Sequence, residues 1–203
     1  MDTTAGTTTD TDFALLCEQV ETAMAHFQVP GVAIGLWHDG REHVAAFGVT
    51  NVNHPLPVDA DTLFQIGSTT KTVTATTAMR LVERGVLDLD SPVRTYLPDL
   101  RLADDDVASR VTLRHLFTHT AGWEGDVFDD TGAGGDALAA IVQRMANLAQ
   151  LTPLGAMFSY NNAGFYLAGR VIEAVTGQTY EAAARELVLD PLGMTRSFFF
   201  AKD

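Results

Sequence analysis

Apolar residues recur at helical spacing over Phe13, Leu16, Val20, Met24 and Phe27, and Pro30 stops the pattern. The period then changes. Residues 32–37 and 42–49 are β-prone runs on either side of His38-Asp39-Gly40-Arg41, and an Asp-Gly step between such runs predicts a hairpin. Pro55 and Pro57 mark 51–61 as a loop. From Ser68 the helical period returns through Val73, Met79, Leu81, Val82 and Val86, with Gly85 as its stop. Asp90-Ser91-Pro92 opens a short helical turn, and Thr112 is the expected cap of a helix over 113–119. Asp136 is the expected cap of an amphipathic helix carrying Leu138, Ile141, Val142, Met145 and Leu148. Pro153-Leu154-Gly155 is a turn. Phe165, Ala168, Ile172 and Val175 form a helix ending at Gly177, and residues 180–189 follow, closed by Pro191 and Gly193.

This order of elements is unbalanced. Two strands do not make an independently stable sheet, and everything after the hairpin reads as helix until 195–200, a third strand at the very end. The chain reads as cut short. No internal repeat and no linker long enough to separate autonomous domains is visible.

Composition narrows the classes. The 203 residues are 46% hydrophobic, enough for a core. The net charge of −13 disfavours nucleic acid and anionic membranes as partners, and the Asp-rich, Lys-poor balance is compatible with a salt-adapted source. The single cysteine, Cys17, excludes an internal disulfide and reads as a small apolar residue on the first helix. Residues 1–11 carry no basic or apolar signal region and read as a disordered tail. With no apolar run approaching a membrane span, the expected location is cytoplasmic, or exported and already processed.

The chemistry concentrates at Ser68-Thr69-Thr70-Lys71, which opens the helix after 64–67. Three positions of separation put a hydroxyl and an amine on neighbouring points of one helical face. Serine is a weak nucleophile until a neighbouring base takes its proton, and a lysine amine serves only when neutral near pH 7. The helix N-terminus adds partial positive charge and free N–H groups suited to an oxyanion. A second polar cluster, Phe158-Ser159-Tyr160-Asn161-Asn162-Ala163-Gly164, precedes a later helix. There Tyr160 can relay a proton and Asn162 can contact a substrate and the lysine; equally, Asn161 or Asn162 is a helix cap.

Other residues carry less. His115 and His119 have the i, i+4 spacing of a zinc pair, but no base lies between them and no third ligand is evident, so His119 reads as structural and close to the site. The glycine-rich, acidic stretch 122–135 fits neither a phosphate cradle nor a calcium loop, and reads as a mobile loop near the site mouth with Trp123 and Phe128 as candidate substrate contacts.

Several blocks stand in an order that resembles the serine β-lactamase and DD-peptidase superfamily, in its class C β-lactamase-like branch with related esterases and D-amino-acid peptidases. They are residues 64–71, the run from Leu81 to Val93, Arg114-His115-Leu116-Phe117-Thr118-His119-Thr120-Ala121-Gly122, Tyr160-Asn161-Asn162-Ala163-Gly164 and Asp190-Pro191-Leu192-Gly193-Met194-Thr195. Together they span nearly all of the chain from Pro30 onward. The resemblance implies Ser68 as acyl-accepting nucleophile, Lys71 as its partner, Tyr160 as general base and acid, and Asn162 as a substrate contact. Ser159-Tyr160-Asn161 also fits the S-x-N form of a related branch, with Ser159 as the relay; the following Ala163-Gly164 and the block order favour Tyr160. The family's third motif, K-T-G or H-x-G on a late strand that completes the oxyanion hole, has no counterpart here.

The implied fold is α+β: a mostly antiparallel sheet lobe flanked by helices, plus an all-helical lobe, truncated before the last strands. Residues 12–67 would begin the sheet lobe, 68–185 would form the helical lobe, 186–203 would return toward the sheet, and the site would lie between lobes. The implied activity is hydrolysis through an acyl-enzyme of a β-lactam, an ester or a D-amino-acid peptide, with no cofactor and no metal. The alternatives are a non-catalytic β-lactam-binding sensor, or an incomplete fragment with little turnover that pairs with another chain or with a missing C-terminal segment.

Overall fold

The computed structural model describes residues 4–200, with side chains from Asp10 onward. The chain forms two compact units and passes from one to the next between Gln65 and Ile66.

The first unit holds helix α1 (Thr4–Phe27) and strands β1 (Gly31–His38) and β2 (Arg41–Gly48). The expected disordered tail over 1–11 is corrected from Thr4 onward, where α1 is already helical; residues 1–3 lie outside the described residues. No proline interrupts 4–12, and extending a nucleated helix adds a hydrogen bond for each residue fixed. The hairpin turns at Asp39 and Gly40, both at positive φ (49° and 77°), the turn whose twist matches that of the flanking strands. The antiparallel register runs from Gly31 opposite Gly48 to His38 opposite Arg41. Val32, Ile34 and Leu36 therefore share one face with Phe47, Ala45 and His43, and α1 sets the Phe13 ring 5.2 Å from that of His43. The opposite face keeps Trp37 71% exposed.

The second unit is helical. After a 3₁₀ turn (Gly67–Thr69) come α2 (Thr70–Glu83), α3 (Asp105–Arg110), α4 (Leu113–Phe117), α5 (Ala137–Arg144), α6 (Asn162–Thr176) and α7 (Tyr180–Ala184), which runs on into one wider turn over Arg185–Leu189. The core centres on α6, where Leu167, Ala168, Val171 and Ile172 have no exposed surface and the helix packs against α2, α4, α5 and α7. Close packing with α5 needs Gly169, since a Cβ there would stand 3.0 Å from Leu138 Cδ1. Glu173, a buried carboxylate, is satisfied by Arg170 Nη1 at 3.1 Å and by the Tyr180 N–H at 3.2 Å.

Local rules set most helix ends. Thr112 and His115 form a capping box at α4, Asp104 caps α3, Asn161 caps α6, and Gly177 ends α6 at φ +69°. Three expectations fail. Asp136 precedes α5 but makes no side-chain cap bond. The helix expected over 113–119 stops at Phe117, because His119 takes a left-handed φ of +56°. Residues 195–200 form no strand: no described strand pairs with them, and they stay with the second unit, where Arg185 Nη2 donates to Ser197 O at 3.0 Å and Phe199 meets the Tyr180 ring edge-on. Among the described residues, no helix is long and apolar enough to cross a membrane.

Candidate active site

Ser68 and Lys71 stand at the opening of α2, and Tyr160 and Asn162 at the opening of α6. The turn that starts α2 aligns the first pair: Lys71 Nζ donates to Ser68 Oγ at 3.1 Å. The second pair is brought up by the packing of α6 against α2. Lys71 Nζ donates to Asn162 Oδ1 at 2.7 Å, and the Tyr160 hydroxyl donates to Ser68 Oγ at 2.8 Å. All four residues named from the sequence thus join one hydrogen-bonded network within the second unit. Lys71 is half-buried, with Nζ 4.9 Å from the centroid of the Tyr160 ring and 5.4 Å from that of Phe165, a placement suited to a cation against aromatic faces.

The two asparagines divide the readings left open for them. Asn161 is the cap: its Oδ1 accepts from Gly164 N and its Nδ2 donates to Trp123 O, both at 2.8 Å, and it is buried. Asn162 turns instead into the network. Its amide orientation is set from both ends, since Nδ2 donates to Asp126 Oδ1 at 3.0 Å while Oδ1 faces Lys71. Ser159 makes no hydrogen bond to Ser68 or Lys71; its N–H donates to His119 O at 2.8 Å.

Electrostatics favour a more acidic phenol at Tyr160. Its contact with Lys71, and then that with Ser68, hold it below the ordinary tyrosine value, because both stabilise the phenolate. His119 is held below the ordinary histidine value by burial and then by the charge on Lys71. Within 67–70 the Thr69 N–H donates to Ile66 O at 3.1 Å and the Thr70 N–H to Gly67 O, so the donor left at the nucleophile is the N–H of Ser68 itself.

Three contributors were not legible in sequence. Asp126 sits in an acidic run that reads as solvated surface. Gly125 admits the α6 entry segment: a Cβ there would lie 2.8 Å from Asn161 Cα, and its carbonyl accepts from the N–H groups of Asn162 and Ala163. Phe165 is spaced as a core residue and also faces Lys71. His119, expected from the sequence to be structural and close to the site, stands there: its Nδ1 accepts from Asn161 N at 3.0 Å and its ring stacks on Tyr160. One reading is corrected. Trp123 is 2% exposed and belongs to the core, so it offers no face to a substrate. The zinc-pair spacing of His115 and His119 presumes one continuous helix, which ends between them, and His115 Nδ1 is occupied at the α4 cap.

The sequence profile of the family described as Beta-lactamase matches residues 18–203. This chain belongs to the beta-lactamase family. It is 38% identical over 186 residues to penicillin-binding protein 4 of Amycolatopsis lactamdurans, covering 92% of this chain and 49% of that one. It is 36% identical over 180 residues to the esterase EstB of Burkholderia gladioli, covering 82% and 46%. Among solved structures, the octameric penicillin-binding protein homologue from Pyrococcus abyssi superposes with a TM-score of 0.80 at 33% identity, covering 94% of this chain and 45% of that one. The fold is that of the beta-lactamase family, and the chain spans about half the length of the curated relatives it matches.

Proposed function

We propose that this chain carries the nucleophile and proton-transfer groups of a serine hydrolase that works through an acyl-enzyme. The observation that supports this most is the pair of contacts on one oxygen, with Ser68 Oγ 2.8 Å from Tyr160 Oη and 3.1 Å from Lys71 Nζ.

In the resting site the neutral phenol donates to Ser68; once ionised, it accepts from the serine hydroxyl instead. Tyr160 then takes the Ser68 proton as Oγ bonds to the substrate carbonyl carbon, and the carbonyl π pair moves onto oxygen. The backbone N–H of Ser68 is one donor to that oxyanion. Collapse breaks the carbonyl C–N or C–O bond and the nitrogen or oxygen takes the proton from Tyr160; an ester or peptide releases its alcohol or amine, whereas the nitrogen of an opened β-lactam stays tethered to the acyl group. Water then adds to the acyl-serine, loses a proton to the same phenolate, and releases the acid as Ser68 regains its hydrogen. Lys71 keeps the phenolate accessible by its charge, and Asn162, oriented by Asp126, holds Lys71 in place and offers a polar edge to the substrate. No step calls on a metal or cofactor.

The substrate classes are a β-lactam, a short ester or a D-amino-acid peptide; relatives named as a penicillin-binding protein and an esterase support that range. Since the chain spans about half of those relatives, contains no K-T-G, and carries its one H-x-G, His38-Asp39-Gly40, in the β1–β2 turn, we expect acylation by reactive probes but weak turnover from these 203 residues alone. Intact-mass spectrometry after incubation with a fluorophosphonate and with a β-lactam tests the reading. One adduct per chain is expected, mapped to Ser68 and absent in Ser68→Ala. A β-lactam adduct that persists for hours would point to a sensor, and absence of any Ser68 adduct would defeat the proposal.

A further inference from the structure

We propose that His119 is the positioning residue of Tyr160, and that protonating His119 releases Tyr160 from its working position. The proposal rests on the reading of Tyr160 as the proton acceptor. His119 holds three consecutive residues of the α6 entry segment. Its carbonyl accepts from Ser159 N at 2.8 Å, its ring stacks on Tyr160 with centroids 4.6 Å apart and planes 28° apart, and its Nδ1 accepts from Asn161 N at 3.0 Å. The tyrosine is thus fixed by the residue before it, the residue after it and its own ring. Phe158, edge-on at 5.5 Å, and Phe165, at 5.3 Å, confine the imidazole in turn.

The left-handed backbone at His119 supports a purpose beyond packing. A φ of +56° is uncommon for a histidine, and here it lets one residue present both its carbonyl and its ring to the same segment. The bond from Asn161 also fixes the tautomer. An Nδ1 that accepts carries no hydrogen, so the neutral ring has its proton on Nε2. Protonation at Nδ1 would oppose two donors, break that bond and put a cation near another.

The groups facing His119 are Lys71 on α2 and Tyr160 on the entry segment, with Asp126 joined to the network through Asn162. Burial first, and the Lys71 charge second, disfavour the imidazolium, so the clamp is closed at neutral pH. It opens as pH falls through the imidazole's lowered value, below 6.5.

His119→Asn is the informative variant, because Asn tolerates left-handed backbone and keeps the carbonyl that serves Ser159 while removing the stacked ring. The readout is the ring-carbon NMR signal of tyrosine-labelled protein, which has four tyrosines, with Tyr160 assigned through Tyr160→Phe. In the native chain the Tyr160 signal should move through a transition below pH 6.5. In His119→Asn that transition should vanish, the Tyr96, Tyr166 and Tyr180 signals should hold, and phosphonylation of Ser68 should slow about tenfold to a hundredfold. A Tyr160 signal unmoved by the substitution, or Ser68 labelling at the native rate, would overturn the proposal. Should His119→Asn fail to fold, the native titration decides: a Tyr160 signal indifferent to pH between about 7 and 4 also overturns it. Native protein that never labels at Ser68 would sink the hydrolase reading while the Tyr160 titration still judged the clamp.

Discussion

The two units differ in how completely they bury themselves. Among residues 10–65, Val58 alone is buried, and Phe27 and Trp37 are each 71% exposed. In 66–200, Leu113, Leu116, Leu167, Val171 and Ile172 lose all exposed surface. The polar network belongs entirely to this second, densely packed unit. Lys71 and Asn162 stand on the first turns of α2 and α6, helices whose later turns are locked into the core, and Ser68 and Tyr160 on the segments leading into them. Hydrogen bonds of 2.7 and 2.8 Å between side chains 91 and 92 residues apart in sequence need supports that do not drift, and packed helices supply them.

That contrast can be broken by substitution. Leu116→Ala opens a cavity in the second unit and should cost about 2–5 kcal/mol, whereas Val44→Ala on the exposed hairpin face should stay within about 0.5 kcal/mol. Urea denaturation of both variants measures the difference, and equal midpoints would mean the units share one uniform core. Gly125→Ala is next in size. Its methyl would meet backbone atoms, Asn161 Cα at 2.8 Å and Tyr160 O at 2.9 Å, which cannot rotate away. We expect a loss of about 1–3 kcal/mol, with Ser68 labelling slowed in proportion beyond that of a remote variant of equal stability.

The smallest effect concerns charge. On the proposed mechanism Tyr160 acts as a phenolate, so labelling should be present above its lowered value and lost as pH falls through it. Lys71→Gln removes the largest influence holding that phenol down, so the acidic limb of the pH–rate profile should move to higher pH. An unmoved limb would assign it to another group.

Sequence legibility followed the same division. Ser68 and Lys71 were readable because three residues of helix fix their geometry locally, and Thr112, Asn161 and Gly177 followed capping rules that act within a few residues. Choosing between Asn161 and Asn162 needed tertiary structure, since both precede the same helix and the choice turns on Asp126, 36 residues away. Gly125 was opaque for that reason, and while His119 was readable as a structural residue close to the site, its contacts with the α6 entry segment were not, since both residues act across long separations. Trp123 misled because an aromatic residue in a glycine-rich stretch reads as exposed, yet the loop folds inward there. The third strand expected over 195–200 rested on β-prone residues alone, and propensity without a pairing partner does not make a strand.

The rate at which a fluorophosphonate labels Ser68 in the native chain and in Tyr160→Phe, followed across pH, tests the central claim most directly. Loss of the proton acceptor should slow labelling about a hundredfold or more and remove the acidic limb, with the helical fold unchanged by circular dichroism. Labelling of Tyr160→Phe at the native rate with the same pH profile would contradict the account.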